Sequence, residues 1–219
     1  MSLSGAPDAR GSDATARTGV SDATMSMDLG PVAAGTVTVG VFVAVPDPHG
    51  ADLQRHRRDF GDPLADAVPA HVTLLPPTTV RRLEVDDVVE HLHAAAARTE
   101  PFTLRLRGTG TFRPVSPVVY VQVAEGFASC ERLEREVRCG PLERAVDFDY
   151  HPHVTVAHHL PACDLDRAQA TLADYDLSFS VDCFWLYRHD DDLWRPHHRF
   201  SLGGAASRTG EDAGRRGQA

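Results

Sequence analysis

The chain has 219 residues, a formal net charge of −9, a 42% hydrophobic and 24% charged composition, and all 22 of its basic side chains are arginines. That length supports one sizeable domain or two small lobes sharing an interface. The acidic balance disfavours a protein that coats a DNA duplex or long nucleic acid, and no run approaches the roughly 18 apolar residues needed to span a membrane.

Residues 1–35 are rich in Ser, Ala, Gly, Asp and Thr and poor in large apolar groups. Such a segment buries too little surface to offset its ordering entropy, so a disordered leader is expected there, and a similar tail over 203–219. The folded unit is placed at 36–202. Its first strand is marked by Val37, Val39, Val41, Val43 and Val45, which alternate with small or aromatic residues and give one strongly apolar face; Pro46-Asp47-Pro48 ends it. A short helix is predicted around Ala51–Asp59, then a strand Ala70–Leu75 stopped by Pro76-Pro77. Val85, Val88, Val89, Leu92 and Ala96 recur at helical spacing and predict a helix near 86–98. Phe102–Thr111 alternates as a strand with one polar face.

The second half repeats the theme. Val118–Val123 reads as a strand, 127–138 as a helix, His153–Ala157 as a strand, and Leu165, Ala168 and Leu172 as a helix. Leu177–Tyr187 alternates again, Arg188-His189-Asp190-Asp191-Asp192 resembles a charged hairpin turn, and Arg199–Leu202 closes the domain. The fold class is α+β: two antiparallel sheets facing a central cleft, with helices on their outer sides. An ordered repeat supports two related lobes, each with a His-Val-Thr strand, a helix and a Phe-initiated strand (Phe102-Thr103-Leu104 and Phe179-Ser180-Val181). The four cysteines, Cys130, Cys139, Cys163 and Cys183, show no C-x-x-C pair and read as reduced thiols. No signal-peptide core is present, so a cytoplasmic location is expected.

The chemistry lies in the repeated tripeptide, His71-Val72-Thr73 and His153-Val154-Thr155. With 12 His, 23 Val and 15 Thr in the chain, random order yields roughly 0.09 such tripeptides, so two in matching contexts are not accidental. On a strand His71 and Thr73 point one way while Val72 and Leu74 point the other, and the second copy behaves alike with Val154 and Val156. Facing lobes would bring two imidazoles and two hydroxyls into one cleft. Two imidazoles across a phosphorus can serve as general base and general acid, because an ordinary pKa near ~6.5 allows both protonation states at neutral pH. The hydroxyls can donate to phosphate oxygens. On its strand Tyr120 lies opposite Val119, Val121 and Val123, which makes it either a core aromatic or a cleft wall for a stacked base. Phe112 reads as core or cleft wall. His91/His93, His151/His153, His158-His159 and His197-His198 invite a metal, but no H-E-x-x-H or zinc spacing is present; no metal and no cofactor are expected.

At His71-Val72-Thr73-Leu74 and His153-Val154-Thr155-Val156 the chain resembles the 2H phosphoesterase superfamily, in particular its 2′-5′ RNA ligase-like and cyclic nucleotide phosphodiesterase branch. The resemblance spans about 37–202 and takes in Phe112-Arg113-Pro114, Tyr120, Tyr150-His151-Pro152 and Trp194. It implies a pseudo-twofold bilobal fold and a metal-independent enzyme, expected to be a monomer, acting on 2′,3′-cyclic phosphate or 2′-5′ phosphodiester groups of RNA ends or small nucleotides. His71, Thr73, His153 and Thr155 would be catalytic, with His153 as base and His71 as acid; Tyr120, Phe112, Arg113 and Tyr150 would bind substrate. The flanks depart from the family pattern. Leu75-Pro76-Pro77 stands where many relatives carry Phe-Leu-Gly, and Ala157-His158-His159 stands where many carry an Arg. Arg105, Arg107, Arg113 and Arg188 are candidates to replace that Arg. Two rivals follow: a nucleotide- or RNA-binding module with the same cleft and little catalysis, and a His-dependent metallohydrolase.

Overall fold

The computed structural model describes residues 33–144 and 149–204. The expected leader through residue 32 and the expected tail from residue 205 lie outside the described residues. At the end of the described residues the Gly203 N–H, at a positive φ of 79°, donates to the Thr99 carbonyl at 2.8 Å.

In chain order the described elements are β1 (Thr36–Ala44), α1 (His49–Phe60), β2 (His71–Arg81), α2 (Val85–Ala97), β3 (Phe102–Thr111) and β4 (Val118–Glu125). They continue with α3 (Phe127–Val137), β5 (His153–His158), α4 (Ala162–Thr171), β6 (Asp176–Val181), β7 (Cys183–Asp190) and β8 (Leu193–Ser201). The strands form two four-stranded sheets of order β2-β1-β7-β8 and β5-β4-β3-β6, with every pairing antiparallel. This is the expected α+β architecture. No helix among the described residues is long and apolar enough to cross a membrane.

Several local expectations are corrected by tertiary context. β2 does not stop at Pro76-Pro77 but runs on to Arg81. Val39 pairs with Thr78 and Val41 with Leu75, so the two prolines sit in a bulge of an edge strand, where no neighbour requires their missing N–H groups. β1 is buried on both faces, not one, because it lies inside its sheet and Phe42 on its second face packs with Tyr187, Trp194, Leu64 and Val68. The alternating run 177–187 is two strands in two sheets: β6 pairs with β3, and after Asp182 the chain enters β7 beside β1. Phe102 and Phe179 therefore belong to one sheet, with Leu104 opposite Phe179, and are not equivalents across the two lobes. Asp191 and Asp192 take positive φ values at the β7–β8 turn, as the charged hairpin requires.

Helices bridge the halves. α1 lies against β5 and α4, while α3 lies against β2 and α2. The apolar faces of both sheets consequently merge into one core that contains Val72, Leu74, Val154 and Val156 together with Leu53, Leu92, Leu133 and Leu165. α1 shows how its sequence produces this: Leu53, Arg57 and Phe60 recur at helical spacing on its buried face, and Gly61, with φ 88°, ends it.

A side chain also joins the two motif segments. The Tyr150 hydroxyl, three residues before His153, donates to the Thr73 carbonyl at 3.0 Å, and its ring packs on the common core. Tyr150→Phe keeps the ring and removes the donor. It should lower stability by about 1 kcal/mol, seen as a lower urea midpoint at unchanged slope.

Candidate functional site

The two motif strands are edge strands of different sheets that lie against one another. Each carries the expected alternation: His71, Thr73, His153 and Thr155 are half-buried at the cleft, and Val72, Leu74, Val154 and Val156 are buried behind them. The four polar residues line one cavity of about 410 Å³, counted with the part open to solvent.

The strands also share an irregularity that alternation alone does not reveal. Phe42 pairs with Thr73 and Val41 with Leu75, leaving Leu74 as the extra residue of a bulge. In the second sheet Tyr120 pairs with Thr155 and Val119 with Ala157, leaving Val156 extra. Each bulge shifts the alternation by one residue just after the threonine. That shift brings His158, rather than Ala157, to the cleft, where its buried ring packs edge-on against His159.

An aromatic ring supports each motif histidine from the paired strand. Phe42 lies 4.2 Å from the His71 ring, and Tyr120 lies 5.1 Å from the His153 ring, with Phe112 at 4.9 Å in an edge-on contact. Both aromatics need a neighbour without a side chain. A Cβ on Gly40 would come within 2.5 Å of the Phe42 ring, and one on Gly110, opposite Tyr120, within 2.6 Å of the tyrosine ring.

The histidines are oriented alike. His71 Nδ1 is 2.6 Å from the Pro69 carbonyl and His153 Nδ1 is 2.7 Å from the His151 carbonyl, in each case two residues upstream. A carbonyl only accepts, so Nδ1 carries the hydrogen in both rings. In the neutral form Nε2, on the far edge, is then the basic nitrogen. Burial lowers the His71 pKa to about 4; the Pro69 hydrogen bond opposes this, and the positive charges of Arg57 and His153 add to it. His71 is therefore a neutral base at pH 7.

Arg57 enters the cavity from α1, a position not singled out in the sequence. It is buried, and its Nε donates to Asp62 at 2.8 Å, while Nη1 donates to the Gln54 side chain at 2.8 Å and the Val68 carbonyl at 2.9 Å. Asp62 also accepts the Leu64 N–H at 2.9 Å. The signal available in the sequence was a charged residue at an apolar position of α1, followed five residues later by a carboxylate.

The substrate-binding candidates are placed differently. Tyr120 and Phe112 are buried, form a small cluster with Val118, and support His153. Tyr150 supports Thr73 through its backbone. Arg113 turns away to α4, donating to Asp166 at 2.7 Å and Gln169 at 3.0 Å. Arg105 pairs with Asp176 and Glu125, Arg107 approaches Asp176, and Arg188 is likewise outside the residues lining the cavity. Of the additional histidines, His91 meets the Val137 carbonyl and His93 meets His198, with Nε2 atoms 3.1 Å apart, whereas His151 stacks on His153 at 6.0 Å and His158 lines the cavity.

The sequence model described as the 2′-5′ RNA ligase superfamily matches residues 45–193. A Bacillus licheniformis protein with a provisional phosphoesterase name is 31% identical over 165 residues, covering 74% of this chain and 97% of its own. A similarly named Bacillus cytotoxicus protein is 31% identical over 167 residues, covering 74% and 95%. Among solved structures, ligand-free Escherichia coli LigT aligns with a TM-score of 0.55 at 19% identity, covering 76% of this chain and 98% of LigT. LigT complexed with NADP+ gives 0.56 at 18% identity, covering 77% and 99%. At these identities the structural likeness concerns the fold.

The lowered His71 pKa ties stability to pH. Unfolded, the imidazole takes up a proton near its ordinary 6.5; folded, it does so only near 4. Its contribution is complete above pH 6.5 and is lost as pH falls through that window, by up to roughly 3 kcal/mol. Urea denaturation from pH 4 to 7 should show a steeper loss for the wild type than for His71→Gln.

Proposed function

The chain belongs to the 2′-5′ RNA ligase superfamily, the 2H phosphoesterase group that its paired motifs resemble, and on that premise we propose that it hydrolyses 2′,3′-cyclic phosphates or 2′-5′ phosphodiesters of RNA ends or small nucleotides by two-histidine acid–base catalysis. The observation that carries the reading is the convergence of His71, Thr73, His153 and Thr155 on one cavity, with both imidazoles held in the same tautomer.

The burial of His71 reverses the roles suggested by analogy. A ring kept neutral to about pH 4 is suited to accept a proton and unsuited to arrive already charged. In the proposed step a water oxygen attacks phosphorus as His71 Nε2 takes its proton. The bond from phosphorus to the leaving ribose oxygen breaks, and protonated His153 supplies the proton that this oxygen requires. Thr73 and Thr155 donate to the non-bridging oxygens and hold the phosphate between the rings. The acid–base pair needs no metal for this chemistry. Bacterial relatives named as phosphoesterases over nearly their whole length support the reaction class, and the LigT complex with 3′-AMP is consistent with a small nucleotide as ligand.

His71→Ala and His153→Ala should each lower kcat/KM on adenosine 2′,3′-cyclic phosphate by about 10²–10⁴-fold, with the far-ultraviolet spectrum unchanged. For the wild type, kcat/KM should rise through pH ~4 as His71 loses its proton. A rate already falling between pH 5 and 6 would return the acid role to His71, and wild-type activity in either alanine variant would end the two-histidine mechanism.

A further inference from the structure

Two arginines that the sequence offers as phosphate ligands are committed elsewhere, Arg105 to Asp176 and Arg113 to Asp166. The cavity nevertheless contains a guanidinium, delivered from the opposite half of the fold.

A guanidinium has five N–H donors. Arg57 uses three of them internally: one from Nε to Asp62, and two from Nη1 to Gln54 and the Val68 carbonyl. Asp62 is itself fixed by the Leu64 N–H, and Gln54 is fixed by donating to the Ala65 and Val68 carbonyls. The head group is thus held on two edges, and the two donors of Nη2 remain, with no acceptor for them among the described residues. A charge held this way gains little stability, since desolvating both members of a buried ion pair cancels much of their attraction. What it gains is pre-organisation: a fixed pair of N–H bonds beside His71, Thr73, His153 and Thr155 in the same cavity.

We infer that Arg57 is the anion-binding residue of this cleft, donating through Nη2 to the non-bridging oxygens of the substrate phosphate, and that the α1 segment with Asp62 is the clamp that aims it. The assignment rests on the phosphoester reading of the site. It places the cation in the first half of the chain, on the helix that reaches across to β5, so phosphate binding and the second motif are brought together by packing and not by sequence proximity. The clamp also explains why lysine is not equivalent here: an ammonium cannot hold Asp62, Gln54 and Val68 while presenting two further fixed donors.

The test is phosphate binding by the full chain, followed through the histidine ring resonances in NMR while inorganic phosphate is added at pH 7. Wild-type protein should show saturable shifts of the His71 and His153 signals. The charge-neutral pair Arg57→Gln/Asp62→Asn, which leaves no buried lone carboxylate, should raise the Kd at least tenfold while keeping the dispersed spectrum of a folded protein. If that double variant does not fold, Arg57→Lys decides by the same readout, with binding weakened at least threefold. Phosphate binding within twofold of wild type in the deciding variant, or no shift of either histidine in the wild type, overturns the assignment. Turnover separates this from the activity proposed above. Wild-type protein that binds phosphate through Arg57 but leaves adenosine 2′,3′-cyclic phosphate intact loses the activity and keeps the anion site; turnover retained in full by the double variant does the opposite.

Discussion

The constraint on which the structure depends is that β2 and β5 bury their aliphatic faces in one common core. Val72, Leu74, Val154 and Val156 are nearly or fully inaccessible, and they belong to one core cluster with side chains from both sheets and from α1, α2, α3 and α4. Each buried aliphatic contributes roughly 1.5–3 kcal/mol, so a one-residue slip of either strand would expose its core pair and bury histidine and threonine instead. Packing therefore fixes the register, and the register fixes which four groups face the cleft. The shared core also explains how a bilobal chain holds its halves in one arrangement, with Tyr150 adding a hydrogen bond from the second motif's approach to the first motif's backbone.

Within that frame the two motif strands share several features. Each motif threonine pairs with an aromatic, Phe42 or Tyr120, each aromatic lies over a glycine, and each strand bulges directly after its threonine. Each histidine is held through Nδ1 by a carbonyl two residues upstream. The surroundings of the two histidines then differ. His71 lies beside Phe42 and the Arg57 charge, and burial holds its pKa near 4. His153 has Phe112, Tyr120 and His151 around it. Similar backbone frames with different surroundings are how two copies of one motif come to differ in local environment.

Arg57 and Asp62 show the same principle in another form. A charged pair at an apolar position of α1 is costly to desolvate and offers little net stability. Its three internal hydrogen bonds, the one to Asp62 at 2.8 Å among them, fix the guanidinium at the cavity.

Periodicity carried most of the fold because it reports burial directly: the valine run of β1, the helical spacing of Leu92 and Ala96, and the alternation about both His-Val-Thr copies all correspond to buried faces. The paired tripeptide alone indicated four of the groups that line the cleft and the superfamily to which the chain belongs. Tertiary structure decided what local pattern does not encode. It carried β2 past Pro76-Pro77 as a bulged edge strand and divided 177–187 between two sheets at Asp182, because strand partners are set by long-range packing. It turned His158 inward through a bulge, sent Arg113 to Asp166, and brought Arg57 to His71 from another element. A motif names residues close in sequence, whereas a cleft collects residues close in space; for this protein only the folded core connects the two.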